Sequence, residues 1–95
     1  MVEVRPHEVI LYGAPGCHLC EEARRGLQRL AVRTPFVFRE IDIHSDPDLE
    51  RRWLFEIPVI EVDGLVATQA PVDLEAVRRA IEGRQGPKVI RAASD

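Results

Sequence analysis

A chain of 95 residues with 45% hydrophobic and 31% charged residues has the make-up of one ordinary globular domain, with enough apolar side chains for a single core. Its net charge of −3 gives no support for a nucleic-acid or membrane partner, and no apolar run approaches the roughly 20 residues of a membrane-spanning helix. The opening residues, Met1-Val2-Glu3-Val4-Arg5-Pro6-His7, lack the long apolar stretch of a secretory leader, so the expected location is cytoplasmic.

Residues 8–12, Glu8-Val9-Ile10-Leu11-Tyr12, form an apolar run that predicts a strand buried on both faces. Gly13-Ala14-Pro15-Gly16 follows as a tight loop, then Cys17-His18-Leu19-Cys20, which holds both cysteines of the chain. From Cys17 to about Arg33, apolar residues at Leu19, Ala23, Leu27 and Leu30 make one helical stripe, with Glu21, Glu22, Arg24, Arg25 and Arg29 largely outside it. Thr34-Pro35 ends that helix. Residues 36–43 are rich in aromatic and β-branched side chains and predict a second strand, whose charged half suits a sheet edge.

Ser45-Asp46-Pro47-Asp48 reads as a helix start, with Ser45 or Asp46 as N-cap, Pro47 in the first turn, and Asp48 and Glu50 set against the dipole. The helix is short and carries Leu49, Trp53 and Leu54. A third strand, Ile57-Pro58-Val59-Ile60-Glu61-Val62, begins at a proline, where a missing N–H is tolerated. Asp63-Gly64 is a two-residue hairpin signal leading to a short fourth strand, Leu65–Ala67. Asp73 then caps a last helix with Leu74, Val77 and Ile81 facing inward, stopped near Gly83. Arg84 to Asp95 has a Gly-Pro break and no sustained period, so residues 1–83 are expected to form the domain and 84–95 a poorly ordered tail.

The order βαβαββα predicts an α/β fold with a mixed four-stranded sheet and helices on both faces. The first crossover should be right-handed, and the hairpin should add an antiparallel pair.

The chemistry sits at Cys17 and Cys20. Residues i and i+3 share a helix face with Cβ atoms about 5–6 Å apart, close enough for their sulfurs to join. The first of them meets the unpaired N–H groups and positive dipole end of the helix, which favour a thiolate. A reversible dithiol is the leading reading, with Cys17 attacking a substrate disulfide and Cys20, screened inside the first turn, resolving the mixed disulfide. Half of a zinc site and two inert thiols are the alternatives. A structural zinc needs four ligands, and His7, His18 and His44 offer no second chelating pair, so no metal is expected.

His18 stays open between an imidazolium that would favour the Cys17 thiolate and an exposed neutral ring filling the turn. Glu21 and Glu22 suit the helix start but oppose a thiolate. Pro15 stiffens the approach loop, and Gly16 permits positive φ or the close approach of a substrate. Tyr12 packs at the end of the first strand, Phe36, Phe38 and Trp53 belong to the core, and Arg51 and Arg52 form a solvated helix face.

Three stretches together resemble the thioredoxin fold, and in detail the small bacterial glutaredoxin-like proteins: Leu11 to Cys20, then Asp42-Ile43 to Pro47-Asp48-Leu49, then Ile57-Pro58-Val59-Ile60-Glu61-Val62-Asp63-Gly64. The resemblance covers roughly residues 7 to 83. It implies sheet order 2-1-3-4 and a cis Ile57–Pro58 bond beside the dithiol. It also implies thiol–disulfide oxidoreductase activity at Cys17 and Cys20 with no cofactor, and substrate contacts at Pro15, Gly16, His18, Ile57 and Pro58. The expected partners are a disulfide-bearing protein or small molecule and a dithiol reductant or reductase.

The chain departs from the glutaredoxin pattern at two places. Ala14 stands where glutaredoxins place a Lys or Arg, and Thr68-Gln69-Ala70-Pro71 stands where they carry a Gly-Gly-x-Asp segment that grips glutathione. Glutathione is therefore the less favoured reductant. The tryptophan that thioredoxins carry before the dithiol is replaced by Gly16. A non-catalytic module that binds a partner chain beside Pro58 is the competing function.

Overall fold

The computed structural model describes residues 6–83, and the tail expected at 84–95 lies outside the described residues. The elements are β1 (Glu8–Gly13), α1 (His18–Arg33), β2 (Val37–Asp42), a 3-10 turn (Ile43–Ser45), α2 (Pro47–Trp53), β3 (Val59–Val62), β4 (Leu65–Gln69) and α3 (Leu74–Gly83). The sheet order is β2-β1-β3-β4, with β1 parallel to β2 and antiparallel to β3, and β3 antiparallel to β4. This is the 2-1-3-4 mixed sheet expected, with β2 at one edge.

Alternation along β1 divides the core in two. Val9 and Leu11 join Ile60 and Val62 of β3 against Ala23 and Leu27 of α1 and Val77 and Ile81 of α3. Ile10 and Tyr12 face the other way and pack with Val59, Ile43 and Trp53. Thus α1 and α3 cover one face, and α2 with the 3-10 turn covers the other. Fully buried Val, Leu and Ile side chains each stabilise the fold by about 1.5–3 kcal/mol, so this two-sided core fixes how the helices sit on the sheet.

The α1 stripe is rotated from the expected one. Leu19 is more than half exposed, and Cys20, Ala23, Gly26 and Leu27 form the buried face. Small residues cause the shift. A Cβ added at Gly26 would fall on the Leu74 side chain, so glycine lets α1 and α3 approach closely there. Cys20 likewise packs against the end of β1.

Local chemistry sets the remaining boundaries. Asp46 is the N-cap of α2, its carboxylate accepting the Asp48 N–H at 2.9 Å, and Pro47 occupies the first turn. The preceding 3-10 turn, not expected from the sequence, closes when the Asp42 carboxylate accepts the His44 N–H at 2.9 Å. At the hairpin both Asp63 (φ 52°) and Gly64 (φ 88°) adopt positive φ, as a two-residue turn of this hand requires. The Asp63 carboxylate accepts the Glu8 N–H at 2.9 Å and lies 2.7 Å from His7 Nδ1, tying this turn to the start of β1. β4 runs two residues beyond the expected end, with a register irregularity opposite Ile60/Glu61. Asp73 caps α3 as expected, its carboxylate accepting from the Glu75 and Ala76 N–H groups. Among the described residues, no helix is long and apolar enough to cross a membrane.

Candidate functional site

β1, an inner strand of the sheet, delivers the chain to Gly13 at its C-terminal end, and the loop 14–16 turns it into α1. Gly16 makes that turn at φ +76°, a conformation that glycine adopts without a Cβ penalty. The Cys17 N–H donates to the Ala14 carbonyl at 3.3 Å and closes the loop.

Cys17 is the N-cap of α1, with extended backbone angles and a sulfur that accepts the Cys20 N–H at 3.1 Å. Its carbonyl accepts the Glu21 N–H at 3.1 Å. A disulfide sulfur thus takes the capping place usually held by Ser, Thr or Asp, and receives one of the donors a helix start leaves unpaired.

The two sulfurs are joined, with Cα atoms 5.2 Å apart. Their surroundings differ. Cys20 is 1% exposed, behind the helix and against the strand, whereas Cys17 is partly exposed at the helix tip. Of the two residues, Cys17 is the one that solvent reaches. A Cβ placed on Gly13 would come within 3.0 Å of Cys20 Sγ and 3.1 Å of its Cβ, so the last residue of β1 forms the wall behind the buried sulfur.

Two concavities border α1, and one of them also borders the loop 14–16. One, of about 390 Å³, is lined by Gly13, Ala14, Pro15, Ile41, Asp42 and the Arg24–Glu40 pair. Arg24 donates to both Glu40 oxygens, at 2.9 and 2.8 Å. The other, of about 330 Å³, is an apolar groove walled by Leu19, Ala23, Pro58, Ala70, Pro71, Val72 and Leu74, with Glu22 and Arg29 as its charged members. Leu19, the chain neighbour of Cys20, lines it, and neither cysteine does.

The Ile57–Pro58 bond is cis, as the resemblance implied, and so is Ala70–Pro71. The two proline loops are tied where the Ala70 N–H donates to the Glu56 carbonyl at 3.4 Å.

The residues anticipated around the dithiol are therefore distributed. Cys17 and Cys20 come together, Gly16 forms the turn before them, and His18 is exposed at the first helical position. Pro15 and Pro58 line different concavities. Ile57 packs toward the Tyr12–Trp53 side, and its N–H donates to the Trp53 carbonyl at 3.1 Å. Tyr12 is buried against Trp53 with its hydroxyl donating to Glu61 at 3.1 Å. Sequence reasoning missed Leu19, Pro71, Val72 and Leu74 as groove residues and Gly13 as the wall behind Cys20. The signals were present: a proline between the last strand and last helix, and a glycine where β1 meets the loop. Among the described residues, no group of three or more His, Cys, Asp or Glu side chains is arranged to hold a metal ion.

Residues 8–82 match the family model described as Glutaredoxin-like domain (DUF836). Among solved structures, protein Ne2328 from Nitrosomonas europaea is 25% identical, with a TM-score of 0.74 over 85% of this chain and 98% of that one. A structural-genomics target protein from X. campestris is 26% identical, with a TM-score of 0.64 over 79% and 96%. A mutant thioredoxin from Halobacterium salinarum is 18% identical, with a TM-score of 0.65 over 86% and 77%, a likeness of fold. No curated protein matches the chain.

Proposed function

The chain belongs to the glutaredoxin-like domain family, and from that premise we propose that it is a thiol–disulfide oxidoreductase working through Cys17 and Cys20. The observation that carries the reading is the contrast between the two sulfurs: Cys17 is partly exposed and accepts an N–H at the start of α1, while Cys20 is buried within reach of it.

In the reducing direction the Cys17 thiolate attacks one sulfur of a substrate disulfide. The other substrate sulfur leaves as a thiolate and takes a proton, and Cys17 is left in a mixed disulfide. The Cys20 thiolate then attacks the Cys17 sulfur and expels the second substrate thiol. The substrate gains two electrons and two protons, and the protein is left with the Cys17–Cys20 disulfide. An external dithiol reverses that oxidation by the same exchange. The helix-start N–H groups favour negative charge on Cys17 as attacker and as leaving group.

The apolar groove beside Leu19 and Pro58 suits an extended polypeptide bearing the disulfide, and a small disulfide is the second substrate class. Glutathione is the weaker candidate as donor. Ala14 brings no cation, Arg24 is engaged by Glu40, Arg51 by Asp48, and Arg52 lies over the Trp53 ring at 5.0 Å.

An insulin-type disulfide reduction assay driven by dithiothreitol tests the proposal. The protein should accelerate reduction well above reductant alone, and Cys17→Ser should remove the acceleration. Reduced protein that leaves the rate unchanged would instead favour a binding module seated at the Pro58 groove.

A further inference from the structure

Glycine at position 13 is not explained by backbone conformation. Among the described residues the positive-φ glycines are Gly16 and Gly64, and Gly13 ends a regular strand. What sets it apart is space. A Cβ there would stand 3.0 Å from Cys20 Sγ and 3.1 Å from Cys20 Cβ, whereas at Gly16 and Gly83 an added Cβ meets nothing within 4 Å.

We propose that Gly13 is a positioning residue that sets the redox balance of the Cys17–Cys20 pair by leaving room for the Cys20 sulfur in the disulfide form. The inference rests on the reading of the pair as a working dithiol. The sulfur is held on three sides: Cys20 is 1% exposed, its backbone lies in the first turn of α1, and its Sγ is bonded to a Cys17 sulfur itself held by the Cys20 N–H. In the disulfide, Sγ cannot turn away from residue 13. In the dithiol, rotation about the Cys20 Cα–Cβ bond is free of that tether. The approach to Cys20 Cβ is common to both forms and cancels between them. An added methyl group therefore acts as overpacking mainly on the oxidised protein, and makes its disulfide easier to reduce.

The test equilibrates the full chain with dithiothreitol buffers of graded composition. The reaction is Cys17–S–S–Cys20 plus dithiol giving two protein thiols and cyclic disulfide, two electrons and two protons passing to the protein. Alkylation and mass measurement read the fraction oxidised. Gly13→Ala should lower the equilibrium constant for disulfide formation about tenfold, a potential less negative by about 30 mV for a two-electron couple. Gly83→Ala should leave it at the wild-type value. A Gly13→Ala chain that titrates with wild type overturns the proposal.

Thermal unfolding supplies a second reading that does not depend on the oxidised variant folding well. The loss in midpoint caused by Gly13→Ala should be larger in the disulfide form than in a Cys17→Ala background, where Cys20 is untethered. An equal loss in both, or failure to fold in both, makes Gly13 a general packing position and overturns the proposal. Failure of the oxidoreductase reading is distinguishable: wild type would then give no accelerated substrate reduction, while the shift between wild type and Gly13→Ala persisted.

Discussion

The Cys17 sulfur accepts the Cys20 N–H at 3.1 Å, so one atom both caps α1 and occupies the exposed end of the dithiol. That relationship makes the two thiols unequal once the disulfide is reduced. Reduced protein treated with limiting iodoacetamide should be alkylated at Cys17 at least about tenfold faster than at Cys20, because access and helix-start donors both favour the first. Peptide mapping reads the ratio; equal labelling, or preference for Cys20, contradicts the assignment.

Glutathione should bind weakly. Each lost hydrogen bond to a charged group is commonly worth about 1.5–3 kcal/mol, roughly one to two orders of magnitude in affinity. Ala14 removes one such anchor, and Pro71 has no N–H to replace a second. Titration of the Cys20→Ser protein with oxidised glutathione, followed by NMR, should show no tight, saturable binding at residues 68–73. Tight, saturable binding there would contradict this expectation, and its loss in Arg29→Ala would identify Arg29, which lines the same groove, as the source of the missing charge.

Tyr12 is the chain's one tyrosine, which makes its titration readable. Burial raises its pKa above 10.0, helped by the hydrogen bond its hydroxyl donates to Glu61 and by the Glu61 charge. A group raised on folding binds its proton more tightly in the native state. Its contribution is complete below the unfolded value of about 10 and is lost as pH rises through the folded value. Tyrosinate absorbance should therefore appear at higher pH in native than in denatured protein, and Glu61→Gln should narrow the gap. Coincident curves would contradict the buried Tyr12–Glu61 contact.

Gly26 holds α1 against α3. Gly26→Ala sets a methyl group against Leu74 Cδ1, the movable end of a flexible side chain, but gains about 1 kcal/mol of helix propensity, so the net change in stability should stay within about 1 kcal/mol. In a Leu74→Ala background, where that contact is removed, Gly26→Ala should be more stabilising than with Leu74 present, since the two positions touch and their effects are not additive. An equal effect of Gly26→Ala with Leu74 present and absent would mean that the helices lie further apart.

Much of this architecture was legible in the chain because its strands and turns carry strong local signals. The Glu8–Tyr12 run, the Asp46-Pro47 helix start and the Asp63-Gly64 turn each name an element with little competition from tertiary context. The spacing of Cys17 and Cys20 likewise named the two residues whose sulfurs the structure joins. The face of α1 was harder to read. Apolar spacing favoured Leu19, but burial goes to Cys20 and Gly26, because close approach to β1 and α3 rewards small side chains over large ones. Contacts between distant segments were the least readable. The groove that joins Leu19 to Pro58 and Pro71 brings together three parts of the chain, and no local pattern records that meeting. Gly13 was visible as a loop residue, but its role behind the Cys20 sulfur depends on a strand–helix distance that spacing alone does not supply.

The most direct test of the central claim is to capture the reaction halfway. Cys20→Ser and Cys17→Ser proteins, each reduced and then mixed with a peptide containing a disulfide, are read by intact mass. Attack by Cys17 and resolution by Cys20 predict a stable covalent adduct of Cys20→Ser with one half of the peptide, bonded at Cys17, and none with Cys17→Ser. An adduct on Cys17→Ser bonded through Cys20, or no adduct on either protein, would contradict the account.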